Sequence, residues 1–232
     1  MYRFEMPARH YAATGHVVST EESRPVLNGV HFQVRDTCLI ACGTDGHALV
    51  MTRSPLPYPE DGSTYDALSE EGVILPPVKL SALGVTAKGL DTDYVTFESA
   101  DGMSWTISAR CKGRYGMYAP SSKLSVVRAI EGPFPDVRQV IPRAGIELAP
   151  LPSLCFDPEV LDKAAHYFGK VSLGFTGSER AVIVIPWDRE RDNMMGLMMP
   201  VRPLDASAAV APSWVHAAPD PVAVDAEEPA TC

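Results

Sequence analysis

Residues 27–53, LNGVHFQVRDTCLIACGTDGHALVMTR, constrain the fold most strongly. Apolar and polar side chains alternate along this segment, and turn residues interrupt it twice. Successive side chains of a strand point to opposite faces, so the alternation puts Val30, Phe32 and Val34 on one face. Arg35-Asp36 separates LNGVHFQV from TCLIACGTDGHALVMTR, and the second piece breaks again at Gly43–Gly46. Asp45-Gly46 is a strong hairpin signal, because Asp bonds its neighbouring backbone and Gly accepts a positive φ. The segment predicts short strands joined by tight turns.

The same pattern continues along the chain. DYVTFES and GMSWTISA read as strands joined around Ala100-Asp101-Gly102, and VSLGFTG, AVIVIPWD and MGLMMPVR read as three more. Three segments carry helical spacing instead. Residues 7–18, PARHYAATGHVV, place Pro7 in a first turn and Tyr11, Ala12, Gly15 and Val18 in an apolar stripe, with Arg9 and His16 on another face. PVKLSALGVTAKG places Leu80, Leu83, Gly84 and Ala87 on one stripe. The third helix has Asp157 as N-cap, Pro158 at the first helical position and Gly169 as C-terminal cap. Val160, Leu161, Ala164, Ala165 and Phe168 form its apolar side, and Lys163, His166 and Lys170 fall opposite. A helix followed by several antiparallel strands thus recurs about three times, an α+β pattern without the regular strand–helix alternation of a parallel sheet. The three units share no obvious sequence similarity, so the repeat is architectural.

Composition limits the functional classes. With 232 residues and 46% hydrophobic content, the chain can build one large domain or two small ones. No apolar run approaches the ~20 residues that span a membrane, and MYRFEMPARHY lacks the apolar core of a signal peptide, which predicts a cytoplasmic protein. Cys38, Cys42, Cys111, Cys155 and Cys232 form no C-x-x-C pair and read as reduced thiols, with Cys38 and Cys42 on one strand face. The histidines form no H-E-x-x-H, so no metal or other cofactor is predicted. The net charge of −9 requires any DNA-facing surface to be a local basic patch on an acidic body. Residues 204–232 are rich in Pro and Ala, with acids near the end, and predict a disordered tail in which Trp214 stands out.

The enzymatic readings of GTDGHALVMTR fail. The chain holds no G-x-x-x-x-G-K-[ST] and no G-x-S-x-G, and no nucleophile lies near His47, so no catalysis is predicted. GPFPDVRQVIPR (132–143) and MGLMMPVR (195–202) instead combine Pro and Met with Arg, which suits a peptide-binding groove, since Met adapts to varied apolar partners.

Taken together, these stretches resemble the bacterial DNA polymerase III β subunit, the sliding-clamp family. RPVLNGVHFQV (24–34) and TDGHALVMTR (44–53) are similar to paired strands of the clamp's middle domain. FPDVRQVIPR (134–143) is similar to the segment that leaves it, and FDPEVLDKAAHYFG with MMPVR (156–169, 198–202) to the closing half of the last domain. The resemblance implies a DNA-clamp fold built from β-α-β-β-β units, with antiparallel sheets outside and helices on one face lining a channel. Residues 1–143 would form a domain like the family's middle one, and 144–203 a partial last domain. The family's first domain has no counterpart in this reading, and about four chains would be needed for a ring of the family's size.

The implied function is that of a DNA-replication processivity factor. It would encircle duplex DNA non-specifically as a homo-oligomer and tether a DNA polymerase or other proteins carrying a clamp-binding motif, without membrane contact. The implied peptide groove uses Leu27, Thr44, Gly46, His47 and Leu49, then Pro135 and Val140, then Leu197, Met199, Pro200, Val201 and Arg202. The implied DNA-facing groups are Arg9, Lys79, Lys163, His166 and Lys170. Three positions depart from the family: Ala48 stands where it commonly has Arg, Gln139 replaces a second Arg, and Pro203 follows MPVR where the family chain normally ends with Leu. An alternative is a clamp-like interaction module that forms no ring, binding clamp-binding peptides or competing with a full-length clamp.

Overall fold

The computed structural model describes residues 2–35, 37–56, 68, 71–113, 116–141, 156–175, 180–190 and 192–201. Arg202, the link at 142–155 and the predicted tail at 204–232 lie outside the described residues. The strands predicted around the Asp45-Gly46 turn are β2 (Val30–Arg35), β3 (Cys38–Thr44) and β4 (Ala48–Pro55). They follow β1 (Tyr2–Pro7) and helix α1 (Ala8–His16). A second unit contains β5 (Val73–Leu75), β6 (Tyr94–Ser99), β7 (Ser104–Lys112) and β8 (Tyr118–Arg128). The third contains helix α2 (Pro158–Ala165), β9 (Val171–Gly174), β10 (Val182–Pro186) and β11 (Met194–Met198).

Among the described residues all strand pairs are antiparallel, and they form two sheets. The first has the order β1-β6-β7-β8 and the second β5-β2-β3-β4-β11-β10-β9. The first two units exchange their opening strands: β1 pairs with β6 of the second unit, and β5 with β2 of the first. In the larger sheet, two three-stranded meanders meet last strand to last strand, with Leu49 opposite Leu197 and Ala48 opposite Met198.

Alternation accounts for the two cores. Phe4 and Met6 of β1, Val30 and Phe32 of β2, Val95 and Phe97 of β6, and Trp105 and Ile107 of β7 turn inward between the sheets. Phe4 stacks on Phe97 at 4.6 Å between centroids and tilts against Phe32 at 5.3 Å. A second core lies under the helices. Ala13 and Val17 of α1 and Ala164 and Phe168 near α2 cover Ala48, Val50, Val184 and Met198 on one face of the larger sheet. Glycines in that sheet permit the close approach: a Cβ on Gly196 would lie 2.6 Å from the Ala164 carbonyl oxygen of α2.

The helix expectations need correction in three places. PVKLSALGVTAKG forms no α-helix but two short 3-10 turns, Leu80–Leu83 and Ala87–Gly89. Gly84, at φ +85°, adopts the left-handed conformation that ends the first turn. In α1, Pro7 is the N-cap rather than part of the first turn, and the buried side is Ala8, His10, Tyr11, Ala13 and Thr14. The predicted stripe shares only Tyr11 with it, because His10 finds polar partners beneath the helix, described below. Asp157 and Pro158 act as predicted, the Asp157 side chain accepting from the Glu159 N–H at 2.9 Å. The regular helix α2 nonetheless ends at Ala165, ahead of a turn that reaches Gly169 at φ +71°. No helix among the described residues is long and apolar enough to cross a membrane.

Candidate functional site

The TDGH stretch is a self-contained turn. Gly46 takes φ +94°, and the Asp45 Oδ1 accepts from the N–H groups of His47 and Ala48, each at 2.9 Å. The Thr44 hydroxyl donates to the Ala48 carbonyl at 2.7 Å and accepts from the Gly46 N–H at 3.1 Å. Lys163 on α2 donates to the remaining Asp45 oxygen at 2.6 Å. Burial alone would raise the Asp45 pKa, but the Lys163 hydrogen bond and the two backbone donors outweigh it and hold the carboxyl below its ordinary range. Both oxygens are thus committed to structure, which agrees with the turn reading and leaves Asp45 no part in acid–base chemistry.

The C-terminal strand completes this turn from far along the chain. Beyond the Leu197–Leu49 and Met198–Ala48 pairs, the Met199 N–H donates to the His47 carbonyl at 3.0 Å. Leu49 and Leu197 point to the sheet face away from the helices, where they cluster with Cys42 and Ala181. Phe134, Val137 and Ile141 pack over this cluster from the segment that follows β8. Asp136 fixes that segment by accepting from the Arg138 backbone N–H at 3.3 Å and side-chain Nε at 2.6 Å. His31 stacks on Phe134 at 4.7 Å, and a cleft of about 770 Å³ opens beside them between the segment and the sheet.

The eleven candidate groove residues that the structure describes separate by exposure. Leu27, Thr44, Leu49 and Leu197 are buried; Gly46, His47, Pro135, Val140, Met199 and Val201 are exposed, and Pro200 is half-buried. Leu27 belongs to the 3-10 turn Pro25–Leu27, and its loop reaches the TDGH turn through Arg24, whose guanidinium lies 3.2 Å from where a Gly46 Cβ would sit. The segment's contacts to the cluster come from Phe134, Val137 and Ile141, residues the sequence reading did not single out. Their spacing of three and then four in FPDVRQVI is a readable helical-turn signal. Ala48, by contrast, is buried on the helix side with Ala13 and Ala164.

Three of the five candidate DNA-facing groups are paired within the chain. Arg9 donates to the Tyr167 carbonyl at 2.7 Å and meets Asp188 at 2.9 Å and Asp91 at 3.4 Å. Lys163 is bound to Asp45, and His166 lies 3.0 Å from Asp162. Lys79 and Lys170 are exposed, and no ion pair involves either among the described residues.

One buried polar group escaped the sequence reading. His10 Nδ1 lies 2.9 Å from the Ser54 hydroxyl, and its Nε2 lies 3.0 Å from Glu190. This serine–histidine–carboxylate row is no nucleophilic site, because Ser54 and His10 are each only 3% exposed. It ties α1 to β4 and to the β10–β11 turn. Burial lowers the His10 pKa more than Glu190 raises it, so folded His10 stays neutral where an unfolded His, near 6.5, takes a proton. The stability this confers is present above 6.5 and is lost as pH falls toward the lower folded value. Denaturant titrations between about pH 8 and about pH 5 will show stability falling with acid. His10→Gln will be less stable by about 1–3 kcal/mol at the upper end, with a shallower acid loss. An identical slope in both proteins would contradict this role.

Comparison with known proteins places this architecture. No family model matches the chain. The β sliding clamp of Staphylococcus epidermidis is 30% identical over 131 residues, 56% of this chain and 29% of that protein. The β sliding clamps of Halalkalibacterium halodurans and Bacillus subtilis are each 29% identical over 126 residues, 54% of this chain and 28% of theirs. The matched segment therefore spans less than a third of these relatives. Among solved structures, the Streptococcus pneumoniae DNA polymerase III β chain superposes with a TM-score of 0.60 at 18% identity, covering 88% of this chain and 65% of that one. The Bartonella birtlesii sliding clamp, bound to griselimycin, gives 0.58 at 19% identity over 86% and 66%. The fold is that of the bacterial DNA sliding clamps. By sequence the chain is similar, over about half of its length, to β sliding clamps.

Proposed function

We propose that the chain acts as a sliding-clamp-like processivity factor that oligomerises around duplex DNA and tethers polymerase or other partners by short peptides. The observation that carries this reading is the seam where β11 and the TDGH turn meet, fixed by the Met199–His47 bond. Around buried Leu49 and Leu197, the exposed His47, Met199, Val201, Val140 and Pro135, with half-buried Pro200, offer an apolar edge with a few polar groups. Each Leu or Phe that a peptide buries there contributes about 1.5–3 kcal/mol. Residues 1–143 act in this reading as one clamp domain and residues 144–203 as a partial one. Among the described residues, β8 and β9 each end a sheet, and copies can continue the sheets from these edges. Exposed Lys79 and Lys170, together with Arg9, Lys163 and His166, face the phosphates in this reading.

A second reading, a non-ring module that binds clamp-binding peptides or competes with a full-length clamp, is favoured by one observation. Arg9 and Lys163 already pair with acids of the chain itself, and His166 lies against Asp162. Light scattering followed by retention on circular against linearised DNA separates the two. An oligomer of about four chains that stays on circles and slides off linear ends is the expected result. A stable monomer that circles do not retain overturns the ring and leaves the module.

A further inference from the structure

The C-terminal ends of α1 and α2 meet on the helix side of the larger sheet and bring three ligand-type side chains together. His16 is the last residue of α1. Asp162 of α2 and His166, the residue that caps its C-terminus, stand one turn apart, with the hydrogen bond from the His166 N–H to the Asp162 carbonyl intact at 2.7 Å. His166 Nδ1 lies 3.0 Å from one Asp162 oxygen, and His16 Nε2 lies 3.5 Å from the other. The two imidazoles stack at 4.5 Å between centroids. One donor atom from each of the three residues lies within 4.8 Å of the others, the one such grouping among the described residues.

The surroundings hold this group in place. Tyr167 sets its ring edge-on to His166 at 4.8 Å and to His16 at 5.7 Å. Arg9 of α1 pins the Tyr167 carbonyl at 2.7 Å, so the turn that carries His166 is tied to the helix that carries His16. Ala13 and Val17 of α1 pack with Ala164 and Phe168 directly beneath. The three side chains themselves are exposed and can rotate without disturbing that packing.

We propose that His16, Asp162 and His166 form a binding site for a divalent transition metal of the zinc class, which staples α1 to α2. Two imidazoles and a carboxylate are the donor set that zinc accepts, with the fourth position left to water. The same set disfavours magnesium and calcium, which take oxygen ligands. Zinc–nitrogen bonds of about 2.0–2.1 Å need donors roughly 3.3 Å apart, a closure that rotation of exposed side chains supplies. The ion would replace a stacked histidine pair competing for one carboxylate. It would also join the first unit of the chain to the last. This site depends on neither ring formation nor the peptide seam.

Zinc chloride titrated into the full, chelator-treated chain in a calorimeter tests it. The expected result is one ion per chain, a melting temperature that rises with zinc, and no response to magnesium. His16→Ala and His166→Ala, at exposed positions, are each expected to weaken zinc by about tenfold or more and to remove the rise. Cobalt(II) absorption of the wild-type chain gives an independent readout, with tetrahedral bands lacking the thiolate charge-transfer band that Cys38, Cys42 or Cys111 would add. Absence of zinc binding, a thiolate band, or undiminished affinity in both histidine variants overturns the site.

Discussion

Gly43→Ala is expected to destabilise the protein by about 3 kcal/mol, the upper end of what overpacking costs. The reason is the placement of α1 on β3. A Cβ on Gly43 would fall inside contact distance of the Thr14 carbonyl oxygen, 3.0 Å from its carbon and 3.1 Å from Val17 Cγ1. The obstacle is helix backbone, so no side chain can rotate away, and α1 has to lift from the sheet. That displacement pulls on His10 beneath the helix and on the Ala13 and Val17 contacts with α2. A loss of this size lowers the melting temperature by about 6–12 °C in a chain of this length. Gly174→Ala is the control. On the end strand β9 its Cβ would meet nothing nearer than 3.5 Å, so a change within about 0.5 kcal/mol is expected. Equal urea midpoints for the two variants would show that the α1–β3 approach is not the constraint described.

Gly43 also marks where the sequence reading fell short. The turn signal predicts a break starting at Gly43, yet β3 runs through it to Thr44. What a glycine does inside a strand depends on what lies above the sheet, and α1 is not visible from the local pattern. The turn at Asp45-Gly46 and the start of α2 at Asp157-Pro158 were legible because their hydrogen bonds close within a few residues. The second predicted helix failed because Gly84, at φ +85°, ends the first turn in the middle of a run whose apolar spacing otherwise fits. Strand β1 gained its identity only from β6, with Tyr2 opposite Ser99. Strand β5 is three residues long, and β8 leaves Leu124 and Val126 59% and 66% exposed, so neither shows clean alternation.

The site divides in the same way. MMPVR and TDGH could be paired only through resemblance, since their register, Leu197 opposite Leu49, is a long-range fact. Phe134, Val137 and Ile141 carried a local signal that the emphasis on Pro135 and Val140 passed over. The His10–Ser54–Glu190 row had no signal at all, because its members lie in three distant parts of the chain and only the fold aligns them.

The largest functional effect is expected at Met199, and Leu197 does not serve as an equivalent probe. Leu197 is 3% exposed between Cys42, Leu49 and Ala181, so a carboxylate there would be buried unpaired at a cost of several kcal/mol, and the strand would not hold. Met199 is 42% exposed and contributes its backbone N–H to His47, a bond that no side-chain change removes. Met199→Asp therefore leaves the seam in place and alters only its surface. On the proposed peptide seam it deletes one apolar contact and sets a hydrated charge at the surface. Losing a contact of about 1.5–3 kcal/mol weakens binding by about 10- to 150-fold.

Fluorescence anisotropy of a labelled peptide carrying a clamp-binding motif, measured on the wild-type chain and on folded Met199→Asp, tests the seam most directly. The account predicts saturable binding by the wild-type chain and a loss within that range in the variant. Absence of binding by the wild-type chain, or equal affinity in the two proteins, would contradict it.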